Sequence, residues 1–159
     1  GLPEAEIPRE HIEDPMHARS GGVDPGRDGC RVPLPWTADA PYAGFSTGEP
    51  WLPQPPGWAA HAADLQDGDP ASMLTLYRTA LALRRATPGL GDGPLEWLQN
   101  PEEVLAFRRP GGVLCLVNLG ADPVPVPEGT ELLLASGPLC ADGALPSDTA
   151  VWLREPAAA

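Results

Sequence analysis

The order of apolar and polar positions divides the chain into three stretches. Residues 1–68 follow neither a two-residue nor a 3.6-residue period, and they are punctuated by Gly21-Gly22, Asp24-Pro25-Gly26, Pro33, Pro35, Pro50, Pro53 and Pro55-Pro56-Gly57. Trp36, Tyr42, Phe45, Trp51 and Trp58 are spread through this stretch. Disordered linkers are poor in aromatics, so the pattern predicts a long ordered loop of functional character.

From Asp69 to Ala86 the period becomes helical. Asp69 is placed to cap a helix, Pro70 suits its first position, and Thr87-Pro88-Gly89 ends it. Met73, Leu76, Tyr77, Ala80, Leu81 and Leu83 or Arg84 recur at spacings of three and four, which predicts one stripe for burial. Arg78, Arg84 and Arg85 lie toward the C-terminal end, where cations suit the helix dipole. This reads as a scaffold helix, and a loop with one helix cannot cover such a stripe by itself.

Beyond Pro88 the apolar runs shorten to strand length: Leu95–Gln99, Val104–Arg109, Gly112–Asn118, Glu131–Ala135 and Val151–Arg154. Pro110-Gly111-Gly112 predicts a hairpin turn between two of them. Pro123, Pro125 and Pro127 exclude a central strand from the segment they occupy. A small antiparallel β-sandwich follows from this spacing, with frayed residues at Pro156–Ala159.

Composition sharpens the picture at a few points. The 159 residues contain 22 Pro and 18 Gly, well above the usual shares of about 5% and about 7%, which fits long irregular loops. A hydrophobic fraction of 42%, gathered in runs, argues against a wholly disordered chain. The formal charge is −12, and all ten basic residues are Arg. So acidic a surface repels phosphate backbones and anionic lipid heads, which sets aside nucleic acid and membrane surfaces as partners. No apolar run approaches the ~20 residues of a spanning helix.

Cys30, Cys115 and Cys140 are odd in number and far apart, and His11, His17 and His61 lack ligand spacing, so neither a disulfide framework nor a metal site is expected. Unpaired cysteines fit a cytoplasmic setting. The histidines read as solvated loop residues, and Cys30 reads as a small buried filler.

The chemistry concentrates in Gly26-Arg27-Asp28-Gly29-Cys30-Arg31-Val32-Pro33-Leu34-Pro35-Trp36, followed by Gly44-Phe45 and Gly48-Glu49-Pro50-Trp51-Leu52-Pro53. Two arginines four apart with an aspartate between them form a polar knot. Asp28 can fix one guanidinium while the other turns its planar fork of donors outward. Trp36, Phe45 and Trp51 offer apolar faces, as loop-packing anchors or as platforms for the C–H face of a sugar ring.

These residues resemble the R-D-x-x-R-x-P-x-x-W segment and its downstream G-F and G-E-P-W-L partner in α-glucosidases and oligo-1,6-glucosidases of the α-amylase family, glycoside hydrolase family 13. The resemblance implies a mixed α and β architecture. Residues 1–68 would be the loop after the eighth strand of a (β/α)8 barrel, 69–88 the last barrel helix, and 89–159 a C-terminal β-sandwich domain. Gly1-Leu2-Pro3-Glu4 likewise resembles the residues that directly follow the eighth strand, so a barrel would precede this chain.

The implied activity is exo-acting, retaining hydrolysis of terminal α-linked glucose from short α-glucoside oligosaccharides, by two carboxyl groups roughly 5 Å apart. In the family the catalytic carboxylates lie on earlier barrel strands. None of Glu4, Glu6, Asp14, Asp24, Asp28 or Glu49 matches a catalytic motif, so no catalytic residue is expected here and the chain alone is expected to be inactive. What the resemblance carries over is a substrate-binding arginine, either Arg27 or Arg31, with Asp28, Trp36, Phe45 and Trp51 in support. The opposing reading is that both arginines only staple the loop.

No cofactor or metal is called for. The sequence departs from the common family form at Gly29-Cys30 and Leu34-Pro35, where Asn-Ala and Met-Gln are frequent; this touches loop packing and leaves substrate preference open. A sucrose isomerase or trehalose synthase is the alternative within the family, and a standalone carbohydrate-binding or interaction module is the alternative outside it.

Overall fold

The computed structural model describes residues 2–156, and the chain separates into two compact units, Gly1–Thr75 and Leu76–Ala159. Gly1 and most of the Pro156–Ala159 tail, for which fraying was expected, lie outside the described residues.

The first unit has the irregular character that its lack of periodicity predicts. It contains 3-10 turns at Arg9–His11, Asp28–Cys30, Pro41–Gly44 and Pro56–His61, with two short helices, α1 (Pro15–Arg19) and α2 (Ala63–Gln66). Its apolar centre is Ala5, Val32 and Trp58, packed by Leu2, Ile7 and Leu52. Trp58 is the aromatic that anchors this loop. The Ala5 N–H donates to the Gly29 carbonyl at 3.1 Å, which draws the entering segment against the Asp28–Cys30 turn. A Cβ on Gly29 would lie 2.2 Å from the Ala5 carbonyl oxygen, so only glycine permits this approach.

Helix α3 spans Met73–Ala86. Its start differs from the one expected at Asp69-Pro70, because the Ser72 hydroxyl accepts the Thr75 N–H at 3.1 Å and so satisfies a donor of the first turn. Asp69 instead closes the preceding turn, accepting the Ala71 N–H at 2.9 Å on its side chain and the Ser72 N–H on its carbonyl. The predicted stripe is only half realised. Leu76, Ala80 and Leu83 are half-buried, whereas Met73, Tyr77 and Leu81 remain 47%, 63% and 46% exposed. Within the second unit, α3 lies beside the sheet. There Leu76, Tyr77 and Ala80 face Leu134, Ser136, Ala150 and Trp152 across an apolar cavity of about 210 Å³.

The β domain consists of β1 (Glu96–Trp97), β2 (Val104–Arg109), β3 (Val113–Asn118), β4 (Glu131–Ala135) and β5 (Thr149–Arg154). They form one antiparallel sheet in the order β1-β2-β3-β5-β4, and the β2–β3 hairpin turns at the expected Pro110–Gly112. The pairs Ala106↔Leu116, Leu114↔Leu153 and Leu116↔Val151 lie on one face, where they join the fully buried Leu145 in the core. Covering that face is the proline-rich segment, whose Val124 and Val126 pack on the core with Leu139. The prolines limit its pairing to a single Val124↔Leu145 bridge.

Two polar side chains fix the connections. Asn118 is fully buried; its amide donates to the carbonyls of Asp122 (2.9 Å) and Leu145 (3.1 Å), and its carbonyl accepts the Gly120 N–H at 3.0 Å. Arg109 donates to the carbonyls of Gly89 (3.0 Å), Gly91 and Gly93 (3.1 Å), pinning the loop that follows α3.

Asn118→Ala removes one amide that serves two carbonyls and an N–H, and the expected loss is about 1–3 kcal/mol in denaturant unfolding of the β domain. Gly29→Ala, which leaves that domain untouched, is expected to cost the first unit about 1–3 kcal/mol through overpacking against the Ala5 carbonyl. Hydrogen exchange at amides of each unit separates the two effects.

Candidate functional site

The candidate site is built around two buried carboxylates that share one guanidinium. Arg31 Nη1 lies 2.7 Å from Asp14 Oδ2 and 3.0 Å from Asp28 Oδ1, and the remainder of the Arg31 side chain is about half exposed. Asp28 Oδ2 also accepts the backbone N–H groups of Glu13 (2.7 Å) and Asp14 (2.8 Å). Asp14 Oδ1 caps α1 by accepting the Met16 N–H at 2.9 Å, while its Oδ2 also accepts the Arg27 N–H at 3.1 Å. Each carboxylate therefore takes three hydrogen bonds, two from backbone amides and one from Arg31.

The electrostatics follow from those contacts. The Met16 and Arg27 amides, with Arg31 beside them, hold Asp14 down at about 2 against burial that pushes the other way. Burial pushes Asp28 upward too, but the Asp14 and Glu13 amides and Arg31 outweigh it, and its net shift is downward. Hydrogen bonds to Asp14 and then Asp28 raise Arg31 above its ordinary value. The knot is thus fully charged at neutral pH.

The two arginines are not equivalent. Arg31 carries the ion pairs, whereas Arg27 contributes its main-chain N–H to the knot and leaves its exposed guanidinium with no hydrogen bond or ion pair among the described residues. Trp36, Phe45 and Trp51 are all exposed, at 53%, 50% and 58%. Trp36 and Thr37 both donate their N–H to the Ala43 carbonyl, which holds Tyr42 and Ala43 at φ +49°, a left-handed conformation uncommon outside glycine. The α2 start supports the same loop, because Asp64 accepts the Ala38 N–H and donates its own N–H to the Trp36 carbonyl. Trp51 Nε1 donates to the His11 carbonyl at 3.0 Å, and its ring meets the His11 imidazole edge-on at 5.5 Å.

Two expectations are corrected here. Cys30, read as a buried filler, is exposed, because the Asp28–Cys30 turn buries Asp28 and Gly29 in its place. Local desolvation and the neighbouring Glu4 carboxylate push its thiol up, which disfavours a thiolate nucleophile. His11, read as solvated, has a buried Nδ1 with no hydrogen-bond partner among the described residues. No cluster of His, Cys, Asp or Glu suited to a metal ion occurs among the described residues.

Asp14 is the member of the knot that the sequence pattern alone does not single out. Its one local signal is Asp14-Pro15, which reads as an N-cap followed by proline at the first helical position.

Comparison with known proteins places these features in context. Residues 1–93 match the model of the α-amylase catalytic domain, and residues 98–152 match a domain of unknown function, DUF3459. The chain is 40% identical to a probable α-glucosidase of Rhizobium meliloti (strain 1021) over 121 residues, which are 74% of this chain and 22% of that protein. It is 38% identical over 114 residues to the trehalose synthase/amylase TreS of Mycobacterium tuberculosis (strain ATCC 25618 / H37Rv), 63% of this chain and 19% of that protein. Among solved structures, the α-glucosyl transfer enzyme XgtA superposes with a TM-score of 0.78 at 36% identity, covering 98% of this chain and 31% of that one. The chain therefore spans 19–31% of the length of these relatives. With a catalytic-domain match over more than half its residues and an antiparallel β domain after it, the chain belongs to the α-amylase family, glycoside hydrolase family 13.

Proposed function

We propose that this chain is the C-terminal part of an exo-acting α-glucosidase that releases terminal α-linked glucose from short oligosaccharides, and that Arg27 supplies the guanidinium that meets the glucose. The observation that carries this reading is the division of labour in the knot: Arg31 is committed to Asp14 and Asp28, and Arg27 is exposed with its donors free among the described residues. A guanidinium offers a rigid fork of N–H donors that suits vicinal hydroxyls, and it stays charged at every working pH.

In this reading residues 1–68 form the loop after the eighth barrel strand, 69–88 the last barrel helix and 89–159 the C-terminal β domain. The loop then lies at the C-terminal face of the barrel, where active sites of this fold are built. Trp36, Phe45 and Trp51 supply exposed apolar faces beside the polar groups. Asp28 acts in support, by holding Arg31 and the 13–14 main chain. The nucleophile and the acid/base carboxyl come from the preceding barrel, so the chain alone turns over no substrate. A cytoplasmic setting belongs to the same reading, supported by three free cysteines.

A second reading, glucosyl transfer or isomerisation in place of hydrolysis, is favoured by the likeness to the transfer enzyme XgtA and to TreS. Product analysis with maltose and with sucrose separates the two: glucose release supports hydrolysis, and a rearranged disaccharide or longer glucoside supports transfer.

In the enzyme carrying this chain, Arg27→Ala is expected to lower kcat/KM on p-nitrophenyl α-glucoside by roughly tenfold to a hundredfold, the worth of hydrogen bonds to a charged group, with little change in melting temperature. Arg31→Ala is expected to lower the melting temperature, since it leaves two buried carboxylates without their cation. The reverse allocation would overturn the reading. The acid response follows from the sign of the Asp14 shift, from 3.8 down to about 2. A depressed carboxyl stabilises the fold above its unfolded value and loses that contribution as pH falls through its folded value. The stability gap between the wild-type chain and Asp14→Asn, read by urea melts, is therefore expected to be constant from neutral pH down to the ordinary carboxylate range. It should then close as pH approaches about 2.

A further inference from the structure

We propose that Asp14 is a positioning residue for Arg27, fixing the main chain from which the sugar-binding guanidinium extends. The inference rests on the assignment of Arg27 to the glucose pocket made above. Thirteen residues separate the two in sequence, and the contact is main-chain: the Arg27 N–H donates to Asp14 Oδ2 at 3.1 Å. Asp14 itself is held from three sides. Its Oδ1 is fixed by the Met16 N–H at the start of α1, its Oδ2 by Arg31 at 2.7 Å, and its own N–H donates to Asp28 at 2.8 Å. Arg27 therefore leaves a point on the chain that is tied to a helix start, an ion pair and a second buried carboxylate.

Capping alone does not explain an aspartate at this position. Serine, threonine or asparagine caps a helix start about as well, and none of them desolvates a charge. Arg31 alone does not require it either, because Asp28 already neutralises that guanidinium and takes two further backbone amides. What is specific to an ionised carboxylate is the capacity to accept from Met16, Arg27 and Arg31 together, with two oxygens and about four lone-pair sites.

The residue before Arg27 is shaped to the same contact. Gly26 has φ +72°, and a Cβ there would lie 2.4 Å from both Cβ and Cγ of Asp14. Main chain and carboxylate are packed with no space for a side chain between them. A substitution at Gly26 therefore displaces Asp14 from Arg27 without altering either functional group, which gives an independent way to break the same contact.

Catalysis that depends on a positioned donor is sensitive to small displacements, and misplacement by about 1 Å costs on the order of a hundredfold. The experiment compares Asp14→Asn, Gly26→Ala, Arg27→Ala and the doubles Asp14→Asn/Arg27→Ala and Gly26→Ala/Arg27→Ala. All are made in the enzyme that carries this chain, with kcat and KM on p-nitrophenyl α-glucoside and a thermal melt for each. If Asp14 acts through Arg27, each first substitution lowers kcat/KM by about tenfold or more in the wild-type background. In the Arg27→Ala background it costs less than about twofold, because the group being positioned is gone.

Losses that multiply in the doubles assign Asp14 to general stability and overturn the proposal. So does an unchanged kcat/KM in both single variants. Should Asp14→Asn fail to fold, the Gly26→Ala cycle decides, and a Gly26→Ala enzyme that also loses its cooperative melt counts against the proposal. A wild-type level of activity in Arg27→Ala identifies a different failure, that of the glucose-pocket assignment, and removes the proposal with it.

Discussion

The first unit depends on a single arrangement, two buried carboxylates sharing one guanidinium while each also serves two backbone amides. Sixty or so residues of irregular chain leave many amides without a helix or strand to satisfy them, and a buried amide without a partner is costly. Here the carboxylates take that role. They tie residues 13–16 to residues 27–31, and the Ala5–Gly29 hydrogen bond ties both to the entering segment. The apolar centre of Ala5, Val32 and Trp58 is small, so polar contacts of this kind carry much of the definition of the loop.

The second unit is organised on the opposite principle. Its definition comes from strand register: Ala106, Leu114, Leu116, Val151 and Leu153 meet on one face, and a slip of one residue would move all of them off the core. Polar side chains brace the connections, with Asn118 holding the turn after β3 and Arg109 pinning the loop after α3. Arg108 adds a paired contact to Glu155 and a bond to Glu96, linking the end of β5 to β2 and β1.

This contrast explains how much was legible in the sequence. Strands written as short apolar runs between turn residues were readable almost to the residue: Val104–Arg109 and Glu131–Ala135 are found as expected, and the prolines around Val124 keep that segment out of the sheet. Helix α3 was readable in type and in its end but not in its start, since Asp69 and Ser72 are both capping residues and only the hydrogen bonds distinguish them. Its stripe was readable as a pattern but not as burial, because burial depends on what packs against it and Met73, Tyr77 and Leu81 stay largely exposed. Cys30 was misread because in a chain without periodicity nothing local fixes which way a side chain faces. Asp14 was invisible for a related reason: its partners are 13 to 17 residues away in a stretch with no period to bring them into view.

In the candidate site, two arginines four residues apart take different roles. A donor that meets uncharged hydroxyls gains little unless its orientation is fixed beforehand, since ordering a long side chain costs up to about 2 kcal/mol of rotamer freedom. A loop outside regular structure cannot supply that order from its backbone alone. Arg31 supplies it through its ion pairs with Asp14 and Asp28, and Asp14 in turn holds the main chain at Arg27. Arg27 is then fixed at its root with no partner at its tip among the described residues, while the motif's aspartate binds the neighbouring Arg31. One cation of the motif is thus tied into the loop while the other is left exposed four residues away.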